Sequence, residues 1–248
     1  MKKIGNVIIF VCIFIVITAF GFITYINSKY MNRLESIVTN LAGKKNIKSQ
    51  HAPLTEQKIS KLIDGGFIIY IRHSKREKID TLPAYDVATL IDEIDPVRSE
   101  GFCLSEQGQN DAKMLGRYLL YLKIPIGEVI SSPICRARET AEYAFGRVDR
   151  VEPILNYQHF RQTKKDSNIR DLIKKKALEL FRYNETGKNK ILTGHGNYLR
   201  HIGINDSSLV ESGMFVIDGS GDAPVVIAES DLRNLANIVY QRIWKTTQ

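Results

Sequence analysis

Paired cysteines at metal-ligand spacing, internal repeats and one-sided charge in the body of the chain are all missing. Three cysteines are present, and none lies in a Cys-x-x-Cys pair or at a zinc-ligand interval from a histidine, which argues against a metal site. Cys12 falls in an apolar run, leaving Cys103 and Cys135. These two can pair if the domain that holds them is exported; the plainer expectation is two free, partly buried thiols. No repeat or low-complexity tract appears, which excludes a solenoid. Of 35 basic and 27 acidic side chains, seven and one lie in residues 1–50, leaving 28 and 26 for the rest. The net charge of +8 therefore sits mostly at the N-terminal end. A near-neutral body without an aromatic-basic patch argues against nucleic acid as a partner.

The most apolar stretch is Ile4 to Ile26, 23 residues without a charge. As a helix at about 1.5 Å per residue it is long enough to cross a hydrocarbon layer of about 30 Å. A cleaved signal peptide has a shorter apolar core and ends in small residues, whereas this run ends in Phe20-Gly21-Phe22-Ile23. The expectation is an uncleaved single-pass anchor over residues 1–27, with the lipid bilayer as a partner through residues 4–26. Residues 28–60 read as a polar, basic, partly helical stalk suited to an anionic membrane surface. Residues 61–248 then form one domain, expected on the extracytoplasmic side. Lysines flank both ends of the run, so charge alone does not decide the orientation. Oligomeric state is not legible.

That domain, roughly 190 residues long, suits a single core. At 44% hydrophobic and 25% charged, the composition is that of a folded protein. Gly66 to Ile71, Glu128 to Ser131 and Lys190 to Thr193 are short, β-branched runs that read as buried strands. Ser105-x-x-Gly108 opens a helix with Ala112, Leu115, Leu119 and Leu122 on one face. Ser132-Pro133 reads as an N-cap followed by proline at the first helical position. Helices are expected over Ile169–Tyr183 and Asp231–Trp244. Gly219-Ser220-Gly221-Asp222 joins two runs as a hairpin. Residues 74–104 lack periodicity and read as a long loop. Strands alternating with helices predict a three-layer α/β/α sandwich with a mainly parallel sheet. Such folds place their sites beyond the carboxyl ends of strands.

Three polar clusters occupy those ends: Arg72-His73, Ser131 to Arg136, and Gly194-His195-Gly196. Each alone also fits an ordinary surface loop. Arg136 falls at a helix start, where free N–H groups also favour an anion. Together with Leu104-Ser105-Glu106-Gln107-Gly108 and the run Ser132-Pro133-Ile134-Cys135-Arg136-Ala137-Arg138-Glu139-Thr140, they resemble the histidine phosphatase, or phosphoglycerate-mutase-like, superfamily over about residues 66–240. The apolar N-terminus and Arg72-His73-x-x-Arg76 are more weakly similar to its lipopolysaccharide core heptose phosphatase branch.

The resemblance implies a metal-independent, cofactor-free phosphatase acting on a small phosphorylated substrate. His73 would be the nucleophile that forms a phosphohistidine, with Arg72, Arg136 and His195 around the phosphoryl group. Ser74, Arg76, Ser132, Gly194 and Gly196 are candidate substrate-binding residues. Asn156 stands where the family pattern calls for an acidic group. The general acid is then Glu152, Glu77, Glu100, Asp92, Glu93 or Asp95. A missing acid favours an activated phosphate, whose leaving group needs little protonation. The alternative is a catalytically weak phosphate-recognition module of the same fold. Specificity is expected in residues 74–104 and 157–170, with Tyr85, Arg98, His159, Arg161, Lys164 and Lys165 as candidate lining.

Overall fold

Helix α1 (Glu56–Asp64) begins where Thr55 can cap it: the Thr55 hydroxyl accepts the Lys58 N–H at 3.4 Å. It buries Ile59 and Leu62 and stops at Gly65, whose φ of 80° suits glycine. The structure, a computed structural model, describes residues 51–77, 103–156 and 167–246. The expected anchor at 4–26 and most of the expected stalk lie outside these residues. So do Tyr85, Asp92, Glu93, Asp95, Arg98, Glu100, His159, Arg161, Lys164 and Lys165. Among the described residues no helix is long and apolar enough to cross a membrane.

The expected boundary lies at residue 60. It falls inside α1, and residues 51–60 belong with the domain that follows. Leu54 N–H donates to Glu229 O at 2.8 Å, and Glu229 N–H donates to Ala52 O at 2.9 Å. Leu54 is only 2% exposed, so apolar burial fixes this segment as well as its hydrogen bonds.

The remaining elements are β1 (Ile68–Arg72), α2 (Glu106–Tyr121), β2 (Ile126–Ser131), α3 (Cys135–Phe145), β3 (Arg150–Val151), α4 (Ser167–Leu180), β4 (Asn189–Gly194), β5 (Met214–Asp218), β6 (Val225–Ser230) and α5 (Leu232–Thr246). Short 3-10 turns lie at Pro153–Leu155 and Leu199–Ile202. The strands form one sheet in the order β3-β2-β4-β1-β5-β6. The pairs β3-β2, β2-β4 and β4-β1 are parallel, while β1-β5 and β5-β6 are antiparallel. The α/β class holds, and the sheet is mixed, with the anticipated hairpin as its antiparallel edge.

Alternation along the strands divides the core. Ile68, Tyr70, Ile130, Leu192, Phe215 and Ile217 pack against Ala177, Leu180 and Phe181 of the α4 region and against Tyr198, Leu199 and Ile202. The alternate residues Ile69, Ile71, Val129, Ile191, Met214 and Val216 are also fully buried. Helix α3 packs on β2 and β4, α2 packs on α3 and α5, and α5 packs on β6. Each fully buried isoleucine contributes about 1.5–3 kcal/mol relative to exposure.

Register sets the working edge. Arg72 lies beside Gly194 and Ser131 beside Thr193, so β1, β2 and β4 end at one level. Because β5 runs the other way, its first residue, Met214, pairs with Ile71 at that same edge.

After β1 the chain pairs with the segment entering α2. Arg76 and Leu104 form an antiparallel bridge, Glu77 N–H donates to Cys103 O at 3.1 Å, and Ser105 N–H donates to Lys75 O at 3.0 Å. Leu104 N–H also reaches the Glu139 carboxylate at 2.7 Å, bringing the segment against α3. Cys103 is thereby beside the first residue of α3, and a disulfide joins Cys103 to Cys135, with Cα atoms 4.9 Å apart. This corrects the expectation of two free thiols. The Glu139 carboxylate lies within 4.8 Å of both sulfurs, the grouping of a metal site, but the disulfide withholds the thiolates a metal would need.

Candidate active site

Strand β1 delivers His73 to the carboxyl edge of the sheet, where its N–H donates to Gly194 O at 2.9 Å. The His73 imidazole is 6% exposed. Its Nδ1 lies 2.8 Å from Ser74 O. A carbonyl only accepts, so Nδ1 carries the proton, and in the neutral ring Nε2 keeps a lone pair. That Nε2 makes no hydrogen bond among the described residues.

His195 comes from the end of β4, and its ring centroid is 5.5 Å from that of His73. Arg136 Nη2 is 3.1 Å from His195 Nδ1. A guanidinium only donates, so this Nδ1 is unprotonated and the proton of the neutral ring is on Nε2. Nε2–H in turn donates to Ser132 Oγ at 2.9 Å. Ser132 also receives the Ile134 N–H at 3.4 Å. It is therefore not the N-cap of α3, as the Ser132-Pro133 pattern predicts. Ile134 takes that place, and its apolar side chain offers no cap.

The main chain of His195 is fixed from beneath. Its N–H donates to Tyr70 Oη and its C=O accepts from the same hydroxyl, both at 2.9 Å. A Cβ at Gly194 would lie 2.4 Å from Tyr70 Oη, so glycine there admits the tyrosine. A Cβ at Gly196 would lie 2.9 Å from Cζ and Nε of Arg72, so glycine there admits the guanidinium.

Arg72 Nη1 donates to Leu209 O at 2.8 Å. Its Nε is buried and has no hydrogen-bond partner among the described residues. A buried, unpaired N–H costs about 1–3 kcal/mol, a cost that an oxyanion removes.

Burial is the main reason that both imidazoles are held well below the ordinary histidine range. On His73 the next causes are the charge of Arg136, then those of Arg72 and Arg76, opposed by the hydrogen bond to Ser74. On His195 they are Arg136, His73 and Arg72. Two neutral, desolvated imidazoles thus lie in a field of arginine charge, a setting that favours a dianion.

The structure thus brings together His73, His195, Arg72, Arg136, Ser132 and both glycines. Ser74 is fully buried beneath His73, and Arg76 is half-buried with its charge acting on His73. Glu152 is turned to other work: its carboxylate accepts from Arg150 and from Ile154 N–H, capping the 3-10 turn. Glu77 is exposed on the strand-like pairing with Cys103. Asn156 is buried at 4% exposure.

Tyr70, Thr140 and Ser212 were not anticipated as site residues. Ser74 N–H donates to Thr140 Oγ1 at 2.9 Å, and Ser212 Oγ donates to Ser74 Oγ at 2.8 Å. The one available signal for Tyr70 was a hydroxyl inside an otherwise apolar strand.

No family model and no curated protein matches the chain. Solved structures similar to it include the protein histidine phosphatase SixA complexed with tungstate, at 14% identity and TM-score 0.44, covering 68% of this chain and 99% of that one. Another is the phosphoserine phosphatase of Entamoeba histolytica in complex with 3-phosphoglyceric acid, at 14% identity and TM-score 0.42, covering 68% and 98%. A third is mycobacterial hydrolase 1, at 13% identity and TM-score 0.40, covering 66% and 99%.

Proposed function

We propose that this chain is a metal-independent phosphatase that transfers a phosphoryl group to His73 and then to water. The carrying observation is the convergence of His73, His195, Arg136 and Arg72, with the His73 tautomer fixed by Ser74 O. The Nε2 lone pair forms a P–N bond while the ester P–O bond breaks. Arg72 and Arg136 stabilise the equatorial oxygens, as fixed charges do in a desolvated site, and His195, held by Ser132, orients the Arg136 guanidinium. Water then attacks phosphorus, the P–N bond breaks, and inorganic phosphate leaves with Nε2 regenerated.

Glu152 is engaged with Arg150 and Asn156 replaces the expected acid, which favours substrates whose leaving group departs unprotonated. An acyl phosphate, phosphoramidate or aryl phosphate fits this better than an alkyl phosphomonoester. The apolar run 4–26 supports tethering to a bilayer. The Cys103–Cys135 disulfide supports a domain on the thiol-oxidising side of it.

The full chain in detergent micelles with EDTA is expected to turn over p-nitrophenyl phosphate and acetyl phosphate well ahead of glycerol phosphate. His73→Ala is expected to lower kcat by at least about 10³-fold. Phosphate binding without turnover on any of these would leave a recognition module. Turnover that survives His73→Ala would refute the mechanism.

A further inference from the structure

The orientation of the His73 ring depends on one residue, Ser74, since Ser74 O takes the Nδ1 proton. Ser74 is fully buried, and every polar group it offers is engaged by the protein. Its N–H goes to Thr140 Oγ1 at 2.9 Å, and Thr140 in turn donates its hydroxyl to Arg136 O at 2.7 Å. Its hydroxyl receives the Ser212 hydroxyl at 2.8 Å. Ser212 also donates its N–H to His73 O at 3.3 Å. Ser212 is 1% exposed and holds φ at +59°, a conformation that non-glycine residues adopt at a cost and that clusters at working sites.

We propose that Ser212 and Thr140 are positioning residues for the nucleophile. Thr140 holds the Ser74 N–H and Ser212 holds the Ser74 hydroxyl and the preceding carbonyl of His73, so that Ser74 is fixed in the orientation in which its own carbonyl keeps the proton on His73 Nδ1 and leaves Nε2 as the attacking atom. Thr140 also links this clamp to the main chain of Arg136, so one hydroxyl sets the nucleophile and the phosphate-binding helix in common register. Neither residue touches the reacting atoms. The inference rests on the phosphatase reading given above.

The test uses the full chain in micelles, with ¹⁵N-labelled histidine and the His73 signals assigned by their loss in His73→Gln. The ring is expected as the Nδ1–H tautomer in the unsubstituted protein. Ser212→Ala and Thr140→Val should each mix the tautomers and lower kcat on p-nitrophenyl phosphate by about 10- to 100-fold. KM and inhibition by inorganic phosphate should stay within about threefold, because ground-state binding is untouched. Thr140→Ser should restore both tautomer and rate. Ser212→Gly, which removes the hydroxyl while relieving the backbone, should behave like Ser212→Ala and guards against misfolding as the cause.

Unchanged kcat and unchanged tautomer in Ser212→Ala and Thr140→Val would overturn the proposal. So would a parallel loss of kcat and phosphate binding that Thr140→Ser fails to rescue. An active unsubstituted enzyme with His73 in the Nε2–H tautomer would sink the clamp and spare the phosphatase. An inactive protein whose tautomer still responds to these substitutions would do the reverse.

Discussion

In the parallel half of the sheet, strands end on the candidate site residues. Strand β1 runs out into Arg72-His73, β2 into Ser131-Ser132 ahead of Arg136, and β4 into Gly194-His195. In the antiparallel half the contribution comes from outside the strands: Ser212 and Gly213, just before β5, supply hydrogen bonds to His73 O, Ser74 Oγ and Arg72 N–H. The reversal of β5 makes this possible, because it brings a strand's beginning to the edge where its neighbours finish. The parallel strands end on the candidate site residues, and the segment entering the antiparallel strand adds Ser212, which with Thr140 of α3 holds Ser74.

Arg136→Ala is the hardest test of that division on the parallel side. It should lower kcat/KM by about 10²–10³-fold while the chain stays folded, as loss of a preorganised donor does. A loss under tenfold would remove Arg136 from the transition state. Ile217→Ala, in the antiparallel half and away from the working edge, should act on folding instead. Ile217 is 0% exposed, so truncation should cost about 2–5 kcal/mol of unfolding free energy. Turnover per folded molecule should hold, and a large fall in kcat without unfolding would break the comparison.

A smaller effect separates the halves by pH. His73 and His195 have folded pKa values below the ordinary 6.5, so the unfolded chain binds their protons first. Their contribution is intact above about pH 6.5, and stability falls as pH drops from there toward the folded values, by up to about 1.4 kcal/mol per pH unit for each imidazole. The depressed carboxylates Glu56, Asp149 and Asp218 have ordinary values of 4.5 or 3.8 and lose their contribution lower down. Urea midpoints between pH 7.5 and 5.5 should therefore decline, and His73→Gln with His195→Gln should flatten the slope. An equally steep slope in that double variant would assign the effect elsewhere.

What the sequence made legible follows the same division. Strands β1, β2 and β4 show as short apolar runs that stop at polar residues, and the hairpin shows through Gly219-Ser220-Gly221-Asp222. These are local signals. Helix α1 falls partly in the stretch read as a partly helical stalk; only Ile59 and Leu62 mark its buried face within a charged stretch, so its place in the domain does not show. The disulfide was missed because residues 32 apart meet only through the pairing of segments 75–77 and 103–105. Thr140, Tyr70 and Ser212 act on partners 66, 125 and 138 positions away, where no periodicity reaches.

The bridge between Arg76 and Leu104, with the Glu77 to Cys103 hydrogen bond beside it, closes a neck on the far side of His73. Residues 75–77 are thereby fastened to residues 103–105 within two to four positions of His73. The Cys103–Cys135 bond carries that fastening on to the helix that bears Arg136, so the approaches to His73 and Arg136 are joined covalently.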